Sequence, residues 1–368
     1  MDIEVARTEL TRWRVVDAEP EPLVAGGARL RVDHFGFSSN NVSYAVIGEM
    51  LRYWEAFTAS PADEGDDTVW GRVPVWGFAE VVETRSPDVA VGERLFGFLP
   101  MSTELVIVPG RSSATEVSDV VGHRSVLAGP YNTYRRCAAD PVYRADAEEI
   151  QMLLYPLFFT SFVIDDFVAD HDDFGAAQVV VSSASAKTAL GAAYLLHARG
   201  VRTIGVTSPG NVGFCRDLGM YDDVVTYDDI ATLGQVPSVF IDVSGDQGVV
   251  SAVHHRLGEG LAHSMIVGDT HWDSPPADDA VPRPGPVPAF LFAPSQITKR
   301  SREWGADVLT ATMAEAWAGY AAWVTSWITL DRVAGPEAVI DLFRTYLYGR
   351  VDPRVGTICT LQTEGTSA

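Results

Sequence analysis

The stretch Gln178-Val-Val-Val-Ser-Ser-Ala-Ser-Ala-Lys-Thr188 decides the fold. Its first half is a continuous apolar run, the pattern of a strand buried on both faces of a parallel sheet. Its second half is small and polar, and residues 188–199 continue as a helix stopped by Gly200. A second apolar strand follows at 202–208, then a short helix at 211–218 ended by Gly219. Further strands are expected at 223–227, 238–244 and 264–268. Strands that alternate with helices imply a doubly wound parallel sheet.

Working outward, the flanks read differently. Residues 28–34 alternate apolar and polar, and 80–83, 95–99 and 105–109 are short apolar runs separated by turn signals, which suggests a small β barrel. Residues 147–168 carry apolar positions at helical spacing. Six prolines between Asp273 and Pro288 mark a surface loop. After it come a strand candidate at 289–293, helices at 306–323 and 336–347, and a last strand at 356–361.

The chain has 368 residues, 27 basic against 49 acidic, for a net charge of −22. A surface of that sign repels a polyanion, so nucleic acid is not expected as a partner. Cys137, Cys215 and Cys359 lie far apart without metal-ligand spacing and read as buried thiols. The first residues lack a basic, apolar leader, and the apolar run 153–164 is short for a bilayer span, so a cytoplasmic chain with no membrane partner is expected.

A strand that runs straight into a helix presents free backbone N–H groups and the positive end of a helix dipole, which suits a pyrophosphate. The turn Ser182-Ser-Ala-Ser-Ala-Lys-Thr188 occupies that place. It lacks the G-x-G-x-x-G fingerprint, but Ser183, Ala186 and Ala189 are small enough for close backbone approach. Hydroxyls of Ser182, Ser183 and Ser185 and the ammonium of Lys187 are candidate phosphate donors, with Ala184 and Thr188 completing the turn. At the end of the second strand an acidic residue would grip a ribose 2′-hydroxyl and exclude a phosphate. Here Thr207, Ser208 and Asn211 stand instead, all able to donate, which favours NADP(H), with Lys187 or Arg216 as counter-charge. Asp242 reads as a turn cap, and Ser244 and Gly245 fall on the nicotinamide side. His271, after the fifth strand, is the histidine nearest the expected site. Lys299 and Arg300 are a basic pair that meets either an anionic group or water.

Several segments together resemble the medium-chain dehydrogenase/reductase superfamily in its zinc-free, quinone-oxidoreductase-like branch, and most of all the family DUF2855, whose function is not established. They are Ser39-Asn-Asn-Val-Ser-Tyr44, Pro74-Val-Trp-Gly-Phe-Ala-Glu-Val-Val82, Val91-Gly-Glu-Arg-Leu95, 182–188, Leu218-Gly219, Ile241-Asp-Val-Ser-Gly245, Phe290-Leu-Phe-Ala-Pro294 and Gly356-Thr-Ile358. The resemblance implies an α/β protein. A GroES-like β-barrel catalytic domain, residues 1–145 and 325–368, would carry an inserted Rossmann domain, 146–324, with the active site in the cleft. It also implies a homodimer, with 289–293 as a pairing edge. Zinc-dependent relatives place a Cys near 38–40 and a His-Glu pair near 76–78, and neither set stands there. Hydride transfer then needs a hydrogen-bond donor to polarise the acceptor. The resemblance puts Asn41 and Tyr44 near the nicotinamide, with Asn40 beside them, in a segment that also holds Tyr53 and Trp54.

These readings lead to an NADPH-dependent, zinc-independent oxidoreductase that reduces an activated alkene, quinone or carbonyl of a small substrate. A non-redox lyase or cyclase on the same scaffold, or a non-catalytic NADPH sensor, are the alternatives that the lost glycines suggest.

Overall fold

The computed structural model describes residues 1–17, 19–267, 283–349 and 351–362. His271 and most of the proline-rich loop lie outside the described residues. The chain divides into two compact units, one formed by 1–154 with 325–368 and the other by 155–324.

The first unit is mostly β. A nine-stranded mixed sheet is built around the long strands Ala28–Phe37, Pro74–Thr84 and Arg94–Pro100, and a three-stranded sheet forms from Asp2–Ala6, Glu9–Val16 and Trp70–Gly71. The C-terminal strand Val355–Thr360 pairs antiparallel with Ala28–Phe37 and parallel with Thr329–Ala334, so the two ends of the chain share one sheet. Short helices, Ser39–Val46 and Tyr53–Ala56, follow the first long strand. Sequence patterning missed them because they are short, eight and four residues, and the first opens on three polar residues, Ser39-Asn-Asn41.

Gly36 shows how tightly this sheet is covered. A Cβ at Gly36 would sit 2.6 Å from the Leu153 Cα and 2.8 Å from the Met152 carbonyl oxygen. Both are backbone atoms and cannot rotate away. Gly36→Ala is expected to lower stability by about 1–3 kcal/mol, the usual cost of overpacking, read as a lower urea midpoint at unchanged slope. An unchanged midpoint would mean the helix 148–170 seats elsewhere.

The second unit is the expected parallel sheet. Its strands are β1 (Gln178–Ser182), β2 (Thr203–Thr207), β3 (Asp223–Thr226), β4 (Ser238–Asp242), β5 (Leu261–Ile266) and β6 (Ala289–Phe290). They lie in the order β3-β2-β1-β4-β5-β6, so the order reverses between β1 and β4. That reversal is the switch point at which such sheets bind ligands beyond the carboxyl ends of their strands. β1, β2 and β4 are buried throughout, which explains the apolar residues on both faces at their centres.

Two corrections concern the last third of the unit. The strand expected at 289–293 is only Ala289–Phe290, and Ala293 already opens a helix, Ala293–Trp304. Pro294 suits the first turn of a helix, where no N–H is needed. Lys299 and Arg300 lie on that helix and meet anions of the chain itself. Lys299 pairs with Asp170, and the Arg300 guanidinium sits 2.8 Å from Asp166 and 3.1 Å from Asp170. The long helix Glu148–Asp170 is apolar and long enough to cross a membrane by length and composition, and most of its apolar window is buried inside the protein.

Candidate functional site

The turn after β1 is the best-defined chemical feature of the second unit. Ser183 adopts φ +50°, a left-handed conformation in which a glycine is at ease and a serine is strained. The chain therefore keeps the backbone path of a glycine turn without the glycine. Two tyrosines hold it. The Tyr221 hydroxyl donates to the Ala184 carbonyl at 2.8 Å, and the Tyr227 hydroxyl lies 3.4 Å from Ser183 Oγ. Ala184 N donates to the Val206 carbonyl, which ties the turn to β2.

The helix α1 (Lys187–Ala198) starts directly after this turn, and its first intrahelical bond runs from Leu190 N to the Ala186 carbonyl. N–H groups of its first turn point out of the N-terminal end, and the residue before the helix, Ala186, has no side chain that could cap them. Ser185, Ala186, Lys187 and Thr188 are half-buried, so this end faces outward. These features fit a pyrophosphate.

Beside the turn, hydroxyls and an amide gather. Asn211 Nδ2 donates to Ser185 Oγ at 2.9 Å and to Ser208 Oγ at 3.1 Å, and Thr207 Oγ1 lies 3.5 Å from Ser185 Oγ. The structure thus brings Ser185, Thr207, Ser208 and Asn211 together. The neighbourhood holds donors and no carboxylate in the 207–211 turn, which suits a ribose 2′-phosphate. Arg216 points its guanidinium at the Val224 carbonyl, 2.8 Å away.

Ser182 plays a different part from the one expected of a phosphate donor. It is fully buried, and its hydroxyl donates to Asp242 Oδ1 at 2.6 Å while accepting from Val243 N and Ser244 N. It staples the end of β1 to the end of β4. Asp242 also accepts from the Ser244 hydroxyl at 2.6 Å and from Gly245 N at 3.3 Å. Burial pushes the Asp242 carboxyl above its usual range, and these hydrogen bonds pull it back. Ser244 and Gly245 are thereby fixed at the switch point, while His271 lies outside the described residues.

In the first unit, Ser38 caps the helix Ser39–Val46 in a reciprocal box with Asn41. Asn41 Oδ1 accepts from Ser38 N at 2.9 Å, and its Nδ2 donates to the Pro74 carbonyl at 3.1 Å. Asn41 is buried and its amide is engaged at both ends, so its work is to set the helix. The helix carries Tyr44, whose oxygen accepts from Trp76 Nε1 at 3.1 Å. Burial drives the Tyr44 phenol well above its ordinary pKa.

Tyr221 and Tyr227 were missed from sequence, since their contact with the turn joins positions about forty residues apart. The left-handed serine was missed too, because serine carries no signal for that conformation. It gives a test. Ser183→Gly should be more stable than Ser183→Ala by about 1 kcal/mol, since only glycine relieves the strain. The reverse order in paired thermal melts would show an ordinary turn. Among the described residues, no group of three His, Cys, Asp or Glu is arranged to hold a metal ion.

A buried glycine-like turn at the switch point of a 3-2-1-4-5-6 sheet, joined to a mixed-sheet unit completed by the C-terminus, defines the medium-chain dehydrogenase/reductase fold. Solved structures agree. CurA from Vibrio vulnificus in complex with NADPH is 14% identical, with a TM-score of 0.61 over 98% of this chain and 99% of that chain. The yhdH oxidoreductase from Salmonella enterica in complex with NADP is 15% identical, with a TM-score of 0.52 over 95% and 96%. The CurK enoyl reductase is 13% identical, with a TM-score of 0.56 over 98% and 98%. No curated protein matches the sequence. Residues 35–352 match the family described as a protein of unknown function, DUF2855, and the chain belongs to that family.

Proposed function

We propose that the chain is an NADPH-dependent, zinc-independent reductase of a small activated alkene, quinone or carbonyl compound, working as a cytoplasmic homodimer. The observation that carries this reading is the left-handed Ser183 turn leading directly into the first turn of α1, with the Ser185–Thr207–Ser208–Asn211 cluster beside it. CurA from Vibrio vulnificus and the yhdH oxidoreductase from Salmonella enterica, which share the fold, form complexes with NADPH and NADP. In this reading, residues 155–324 serve as the nucleotide unit, and 1–154 with 325–368 as the catalytic one.

The nucleotide, when bound, supplies a hydride. The chain's own residues do the rest. The Ser183–Thr188 backbone and Lys187 neutralise the pyrophosphate. Thr207, Ser208 and Asn211 donate to the 2′-phosphate, and the Ser182–Asp242 staple holds Ser244 and Gly245 in place. The Tyr44 oxygen already accepts from Trp76, and its own proton is what it has to offer a substrate. That proton donates to the substrate oxygen on which negative charge grows.

The test is NADPH oxidation followed at 340 nm with a panel of enones, quinones and aldehydes. Stoichiometric NADPH consumption with one class supports the proposal. Substrate loss without NADPH consumption would replace it with the non-redox alternative, and tight NADPH binding without any turnover would replace it with the sensor.

A further inference from the structure

The Tyr44 phenol sits in a box of rings. Tyr44 meets Tyr53 edge-on at 5.4 Å and Phe98 at 5.4 Å, and Tyr53 meets Phe98 at 5.3 Å. Tyr131 lies 4.9 Å from Phe98 and 5.9 Å from both Tyr53 and Trp76. Trp76 and Tyr131 are half-buried and form the outward edge, while Tyr53 is 1% exposed.

One polar atom in this box is unexplained. The Tyr53 hydroxyl is buried and, among the described residues, has no hydrogen-bond partner. Tyr131 is near enough to influence it but not in hydrogen-bonding geometry. Leaving a buried hydroxyl unsatisfied costs about 1–3 kcal/mol, and a phenylalanine would fill the same ring position without that cost. Among the described residues, burial, one another and the bond from Trp76 are what shift the three phenols, with no charged side chain among the causes. From these residues the box offers hydroxyl donors and π faces.

We propose that Tyr53 is a second phenolic donor of the reduction site, and that the substrate is an uncharged planar carbonyl compound, of the quinone or aryl ketone class, whose oxygen receives hydrogen bonds from Tyr44 and Tyr53. The rings stack on such a substrate. Two neutral donors aimed at one oxygen stabilise the charge it acquires on reduction. An anionic carrier thioester finds nothing in the box to hold it. Tyr131, on the short turn Gly129–Asn132 at the outward edge, is the ring that must give way for entry. The naming of the substrate rests on the proposed reductase function, but the binding site can be tested apart from it.

The experiment is calorimetric titration of the full chain with 1,4-naphthoquinone and, separately, crotonyl-CoA, each with and without saturating NADP⁺. It is repeated on Tyr53→Phe, alongside thermal melts. The expected result is naphthoquinone binding weakened about tenfold in Tyr53→Phe, the worth of one hydrogen bond, at an equal or higher Tm. A phenol that serves packing alone predicts the same Tm change with no change in affinity, and that outcome overturns the proposal. So does preferential binding of crotonyl-CoA. Naphthoquinone binding that depends on Tyr53 in a chain that ignores NADPH would keep this site and refute the reductase reading. NADPH binding without any naphthoquinone binding would do the opposite.

Discussion

Tyr44→Phe is expected to lower kcat about a hundredfold with NADPH affinity unchanged, because a lost donor to a developing oxyanion costs about that much. The substitution removes one oxygen and keeps the ring among Tyr53, Phe98 and Trp76. Its effect therefore reports the hydrogen bond and not the packing. A fall in KM-related terms alone, with kcat intact, would make Tyr44 a ground-state contact. The pH profile gives a second check. Burial raises the Tyr44 pKa, so the phenol stays protonated and its contribution is lost only as pH rises beyond that raised value. No loss of kcat from Tyr44 should appear below about pH 10, the unperturbed phenol value. A basic limb near neutrality that vanishes in Tyr44→Phe would contradict this.

Ser208→Asp should carry the second large effect, weakening NADPH about a hundredfold while NADH affinity holds or improves. Ser208 directly follows β2, where a carboxylate grips a ribose 2′-hydroxyl and repels a phosphate. The new Asp can still accept from Asn211 Nδ2, as the Ser208 hydroxyl does now, so the turn has no reason to collapse. Fluorescence titration with each nucleotide reads the result. Equal losses for both would mean a damaged turn and no discrimination at this position.

How much of this was legible depended on the range of the interaction. β1 and β2 announced themselves because strands buried on both faces carry apolar residues on both, as Val179-Val-Val181 and Ile204-Gly-Val206 do, and Gly200 and Gly219, at φ +77° and +70°, ended their helices as glycines do. The replacement of the glycine fingerprint by small residues was readable, but the left-handed Ser183 was not, because serine carries no signal for that conformation and the tyrosines that bond to the turn lie about forty residues away in sequence. Ser182 looked like a phosphate donor because of its place in the turn. Its true partner, Asp242, is sixty residues away in sequence and adjacent only once β1 and β4 pair. The helix Ala293–Trp304 was hidden by Phe290-Leu-Phe292, an apolar trio that looks like a strand until Pro294 is recognised as a helix start. Asn41 was read for chemistry when the capping pattern with Ser38 was the stronger local fact.

The most direct test of the central claim is calorimetric titration of the purified chain with NADPH and, separately, NADH. The account predicts saturable NADPH binding at least about tenfold tighter than NADH, from the donors around the 2′-phosphate. Binding of neither nucleotide at millimolar concentration would contradict it, and would mean that the serine turn has closed the site its glycine counterpart keeps open.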